Sequence, residues 1–106
     1  MQKKFKPSGN GWEFYLSKPL LKLLGYDPKE TKLLVKAKNK VLTLTPIKPA
    51  DVEKYRNNMV RNIQKSGCSY GIYFPAPLLE ILEINPEDDL IDVQIDDNKL
   101  IFKKCE

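Results

Sequence analysis

Along this chain, apolar and polar residues alternate over short stretches, switch to helical spacing and then return to alternation, and the whole succession occurs twice. Residues 3–6 and 61–65 alternate in part and predict short strands. Ser8-Gly9 and Ser66-Gly67 follow as turns. The aromatic and β-branched segments 12–16 and 70–74 predict strands. Leu20, Leu21, Leu23 and Leu24, and later Leu78, Leu79, Ile81 and Leu82, are expected to put one stripe of a short helix on a core. Ser17 is a candidate N-cap, Pro19 and Pro77 suit a first helical turn, and Pro75 stands at the Ser17 position. Each helix ends before Pro28 or Pro86, since proline cannot continue it. Two hairpins close the halves: 32–37 with 41–45 across Lys38-Asn39-Lys40, and 90–95 with 99–103 across Asp96-Asp97-Asn98.

The succession is a sequence repeat. At an offset of 58 residues, Ser8-Gly9 falls on Ser66-Gly67, Tyr15 on Tyr73, Pro19-Leu20-Leu21 on Pro77-Leu78-Leu79, and Leu24 on Leu82. Pro28 falls on Pro86, Val35 on Val93 and Leu42 on Leu100, with no gap anywhere. Phe5/Ile63, Trp12/Tyr70, Phe14/Ile72 and Leu44/Phe102 keep residue type. The first repeat spans 1–47 and the second 60–106. The polar linker 48–59 is expected to carry a helical turn from Asp51. A unit of this size cannot bury enough apolar surface alone, so the two repeats are expected to share one core.

Composition narrows the class. The 106 residues are 42% hydrophobic and 30% charged, as in a soluble globular domain. No apolar run approaches the roughly 20 residues of a membrane helix, and no apolar segment follows the basic N-terminus, so a cytoplasmic protein is expected. There is no histidine, and Cys68 and Cys105 are the only cysteines. No metal site, cofactor or catalytic set follows from these residues, and an enzyme is not expected. Cys68, after a turn and beside basic residues, reads as an ordinary thiol.

The net charge of +4 is unevenly spread. Residues 1–49 hold 11 Lys against 3 Asp/Glu, whereas 60–106 hold 5 Lys/Arg against 9 Asp/Glu. One half therefore suits a polyanion and the other does not.

Lys65-Ser66-Gly67-Cys68-Ser69-Tyr70-Gly71-Ile72-Tyr73-Phe74-Pro75, the leucine-rich helix running into Ile84-Asn85-Pro86-Glu87-Asp88, and the closing Val93-Gln94-Ile95-Asp96-Asp97-Asn98-Lys99-Leu100-Ile101-Phe102 together resemble the AbrB/MazE/SpoVT swapped-hairpin family. The resemblance implies a mainly β fold with short helices: a swapped-hairpin β-barrel, formed here as an intramolecular pseudo-dimer of two ββαββ repeats. It also implies double-stranded DNA as partner, met by the first strand and the loop after it. The matching positions are Lys4, Lys6, Asn10 and Gly11, and Asn62, Gln64, Lys65, Cys68 and Ser69. Where many MazE-like members have arginine two residues before the proline, this chain has Tyr15 and Tyr73.

The expected DNA face is Lys3, Lys4, Lys6, Asn10, Arg61, Gln64, Lys65 and Ser69, with lysines on phosphates and Asn10, Gln64 or Ser69 at base edges. Its unequal charge predicts an asymmetric mode led by the first repeat. The alternative is a protein-interaction module, antitoxin-like or otherwise, using Trp12, Tyr15, Tyr70 and Tyr73. MazE-type antitoxins wrap a toxin with a long extended tail, and with Lys103-Lys104-Cys105-Glu106 following the last strand, toxin neutralisation through such a tail is not expected. A monomeric pseudo-dimer is expected, with further homodimerisation left open.

Overall fold

The computed structural model describes residues 2–66 and 69–104, with side chains described at 4–65 and 69–104. In chain order the elements are β1 (Gln2–Lys3), β2 (Lys6–Ser8), β3 (Gly11–Leu16), α1 (Lys18–Leu24), β4 (Lys32–Lys38), β5 (Val41–Ile47) and a 3-10 helix (Pro49–Tyr55). There follow β6 (Met59–Asn62), β7 (Gln64–Ser66), β8 (Ser69–Pro75), α2 (Ala76–Ile81), β9 (Ile91–Asp96) and β10 (Lys99–Lys104). The protein is mainly β. Its strands form two antiparallel sheets, one ordered β1-β9-β10-β5-β4-β6 and the other β2-β3-β8-β7.

The sheets do not close into the barrel that the sequence resemblance implies. Each expected first strand is instead two short strands in different sheets. The chain leaves the larger sheet after Lys3 and after Asn62, and Phe5 and Ile63 turn into the core at these bends. A residue aimed inward at a bend breaks the ladder that a continuous barrel strand would need.

The strand pairings obey the 58-residue offset. Gln2↔Asp92 and Lys3↔Ile91 in β1–β9 match Val60↔Leu34 and Arg61↔Leu33 in β6–β4. Lys6↔Glu13 in β2–β3 matches Gln64↔Gly71 in β7–β8. Two pairings join equivalent strands. In β3–β8 the central pair is Phe14↔Ile72, and in β5–β10 it is Thr43↔Ile101. Each central pair is a residue facing its own repeat equivalent, so a pseudo-two-fold relation runs through both sheets. β1 of the first repeat thus pairs with the closing hairpin of the second, and β6 of the second with that of the first, while β2 and β7 pair within their own repeats.

One core lies between the sheets. It takes Phe14, Leu16, Ile72 and Phe74 from the smaller sheet and Leu33, Val35, Leu42, Leu44, Ile91, Val93, Leu100 and Phe102 from the larger. Leu20, Leu21, Leu24, Leu79 and Leu82 seal its flanks from the helices. Phe5, Phe14, Phe74 and Phe102 meet mostly edge to face, with Phe14 and Phe102 closest at 4.6 Å between centroids. The cluster draws almost evenly on the two repeats, as expected if neither could bury a core alone.

Local chemistry explains the element ends. The Ser17 side chain accepts from Leu20 N at 3.3 Å and caps α1. Pro75 offers α2 no such cap. Gly25 ends α1 at φ +76, in the left-handed region where only glycine lacks a Cβ penalty. The turns after the helices use one hydrogen-bond plan with different residues. Lys29 N donates to Asp27 Oδ1 and Asp27 N to Thr31 Oγ1, while Glu87 N donates to Asn85 Oδ1 and Asn85 N to Asp89 Oδ2. Asn39 and Lys40 both take positive φ, the tight two-residue turn that matches strand twist.

Candidate nucleic-acid interface

Strand alternation divides β3 and β8 between two faces. Trp12, Phe14 and Leu16, with Tyr70, Ile72 and Phe74, turn inward, and Trp12 and Tyr70 pack partly buried against the core. Tyr15 is exposed and Tyr73 half-buried on the outer face. The four aromatic residues of the interaction alternative therefore do not form one patch.

The outer face has an unexpected centre. Glu13 is only 6% exposed. Its side chain lies over Gly71, where a Cβ would come within 2.6 Å of Glu13 Cδ. Tyr73 lies the other way, over Gly11, where a Cβ would meet its hydroxyl at 2.5 Å and the Phe74 carbonyl oxygen at 2.6 Å. The two glycines leave room for the two side chains that cross them. Arg61 sits above the Tyr73 ring, 5.7 Å from its centroid. Its Nε is buried without a hydrogen-bond partner among the described residues.

The residues read as a DNA face separate into two groups. Lys4, Lys6 and Asn10 are exposed and line a cleft with Trp12, Pro86 and Glu87. Lys4 Nζ reaches the Glu87 carbonyl oxygen at 3.5 Å. Lys65 lines the repeat-related cleft with Asp27, Pro28, Lys29, Ile63 and Tyr70. Gln64 is exposed on the far edge strand, Ser69 is half-buried at the start of β8, and Arg61 is half-buried over Tyr73. The Lys3 side chain and Cys68 lie outside the described residues.

Lys6 on β2 and Gln64 and Lys65 on β7 lie on opposite edge strands of the four-stranded sheet, with an acid and two tyrosines between them, while Arg61 belongs to β6 of the larger sheet. Exposed lysines at the first edge suit phosphate oxygens, whereas Glu13 repels them and accepts from amino or guanidinium groups. Alternation with Trp12, Phe14 and Leu16 is the signal that could have set Glu13 beside Tyr15 on the non-core side. Its burial was not readable, because that depends on Gly71 lying across from it. The approach of Pro86 and Glu87 to Lys4 had no local signal either, being set by the interleaving of the repeats.

Among the described residues, no group of three or more metal-ligating side chains comes together. No helix is long and apolar enough to cross a membrane. Fold and site together define a mainly β protein of two repeat-related halves, with a basic edge on the first and a carboxylate-centred sheet face between them. No protein-family model, curated protein or solved structure matches the chain.

Proposed function

We propose that this chain is a DNA-binding regulator of the AbrB/MazE type, built as a swapped-hairpin pseudo-dimer within one polypeptide. The observation that carries the reading is the interleaved strand register, which brings the two first-strand segments to opposite edges of one sheet in repeat-related positions. The exposed Lys4, Lys6 and Asn10 of the first edge then meet duplex phosphates and base edges. Arg61 and Glu13 make the mode asymmetric: the arginine is engaged with Tyr73, and the carboxylate repels the backbone at the sheet centre. Cytosolic duplex DNA is the partner, with no cofactor and no catalysis.

Filter binding to duplex DNA across a salt series tests this. Lys4→Glu with Lys6→Glu is expected to weaken binding at least tenfold and to flatten the log–log salt slope by about two units, one per lost phosphate contact. Arg61→Glu with Lys65→Glu is expected to do much less. Equal losses from both pairs would refute the asymmetric mode, and binding without salt dependence would refute the reading itself.

A protein-interaction role is favoured by one feature, the Glu13 carboxylate between Tyr15 and Tyr73, which suits a basic side chain of a partner. A stoichiometric partner retained from the native host by the wild-type chain, and lost with Glu13→Gln, supports that alternative.

A further inference from the structure

Leu23 and Ile81 are 74% and 73% exposed, the most exposed large apolar residues described. They are repeat equivalents, one on α1 and one on α2. A single exposed leucine means little. Here the same outward position holds a large aliphatic residue in both repeats, although most surface positions differ. Pro19 and Leu23 are one turn apart on α1, as are Pro77 and Ile81 on α2, so each helix carries a short apolar ridge beside its core stripe. All four are solvent-facing or nearly so, and none belongs to the core cluster.

The charges beside the two ridges are opposite. Lys18 and Lys22 border the ridge on α1, whereas Ala76 and Glu80 hold those positions on α2 and Glu83 follows. Neither Lys22 nor Glu80 has an ion-pair partner among the described residues. Glu83 is held by Lys40 at 2.6 Å, leaving Glu80 as the free acid of the pair.

We infer that the occupant of each ridge is a second copy of this chain, docked head to tail with α1 of one molecule on α2 of the next. Leu23 meets Ile81, and Lys22 faces Glu80. The alternatives are disfavoured by charge: α1 on α1 sets lysines against lysines, and α2 on α2 sets glutamates against glutamates. The contact is heterologous, so each copy keeps one unused ridge and assembly continues into a ring or an open chain. Two short helices cover far less than the roughly 1,600 Å² of a standard interface, so association is weak and read at high concentration.

Sedimentation of the full chain without nucleic acid, from about 10 µM to about 1 mM at low salt, tests the inference. The wild-type average mass is expected to rise past the dimer, and less so in high salt. Leu23→Ser and Ile81→Ser, both at exposed positions that leave the core intact, are each expected to stay monomeric. Mixed in equal amounts they are expected to form a 1:1 dimer that grows no further, because one good ridge remains on each. Lys22→Glu is expected to abolish association, and mixing it with Glu80→Lys to restore it. A wild type monomeric throughout overturns the inference. So does either serine variant that still self-associates, since that contact would be isologous. Neither result bears on DNA binding, which is measured separately.

Discussion

The first repeat places Lys6 where the second has Gln64, Glu13 where it has Gly71, Lys22 where it has Glu80, and Lys29 where it has Glu87. Over the same stretch the inward positions stay apolar: Leu16 and Phe74, Leu21 and Leu79, Leu24 and Leu82, Val35 and Val93. The difference shows which constraint each position answers to. Inward residues of both repeats fill one core, and a change in one is felt by the other. Outward residues answer to solvent and to whatever binds there, and the two faces have different neighbours.

The comparison breaks most visibly in the core, where Phe102 and Leu44 are equivalents. Phe102 closes the aromatic cluster against Phe5, Phe14 and Phe74. Phe102→Ala is expected to cost about 3–5 kcal/mol, and Leu44→Ala about 2–5 kcal/mol. Both should lower the urea midpoint of a single unfolding transition. Two separate transitions would show that the halves hold independent cores.

Next in size is the crossing of the smaller sheet. Gly71→Ala sets a methyl against the Glu13 side chain, and Gly11→Ala sets one against Tyr73 and the Phe74 backbone oxygen. Each is expected to cost about 1–3 kcal/mol. The two should differ on rescue. In a Glu13→Ala background the Gly71→Ala cost should nearly vanish, because the three nearest atoms all belong to that flexible side chain. In a Tyr73→Ala background much of the Gly11→Ala cost should persist, because the backbone carbonyl remains. Double-mutant cycles by denaturant unfolding measure both.

These cases mark what the sequence made legible. The repeat, the two helices, the turn after Ser8 and both closing hairpins followed from periodicity and turn chemistry, which act over a few residues; Gly67, in the second Ser-Gly turn, lies outside the described residues. Ser17 as a cap and the tight turn at Asn39-Lys40 were local facts. The break of each first strand at Phe5 and Ile63 was not legible, because an apolar residue in an alternating segment reads the same whether the strand continues or bends. Nor was the separation of Lys4 and Lys6 from Lys65, which follows from strands of one repeat pairing with those of the other. Glu13 shows the limit most sharply, since its burial depends on a glycine 58 residues away.

Gly25 and Glu83 sharpen the comparison at the helix ends. Both take left-handed backbone, at φ +76 and +59, but only one is glycine. A Cβ at Gly25 meets nothing within 4 Å. The Gly25→Ala cost is therefore purely conformational, about 1–2 kcal/mol. Glu83→Ala is expected to unfold close to wild type, because its backbone cost is already present and an exposed ion pair with Lys40 contributes little. Thermal unfolding of the two variants side by side checks this, and equal losses would show that the turns are not strained alike.

The smallest effect concerns Tyr26, whose equivalent is Ile84. Its hydroxyl donates to the Asn98 carbonyl oxygen at 2.6 Å, tying the end of the first helix to the hairpin turn of the second repeat. Burial pushes its phenol from 10.0 up to about 12. Tyr26→Phe removes the hydrogen bond and is expected to cost about 1 kcal/mol at neutral pH. The raised pKa adds a signature that packing alone would not give. Below pH 10 the phenol is neutral in both folded and unfolded chains, and its contribution is fully present. Between pH 10 and about 12 the unfolded chain loses the proton first, so stability falls as pH rises through that window. Every other group is common to the two proteins, so the informative quantity is the difference between wild type and Tyr26→Phe. That difference should shrink as pH rises from 10 toward 12. A gap that stays constant across the window would mean that the phenol is not held neutral by the fold, and that the two helix ends differ in shape alone.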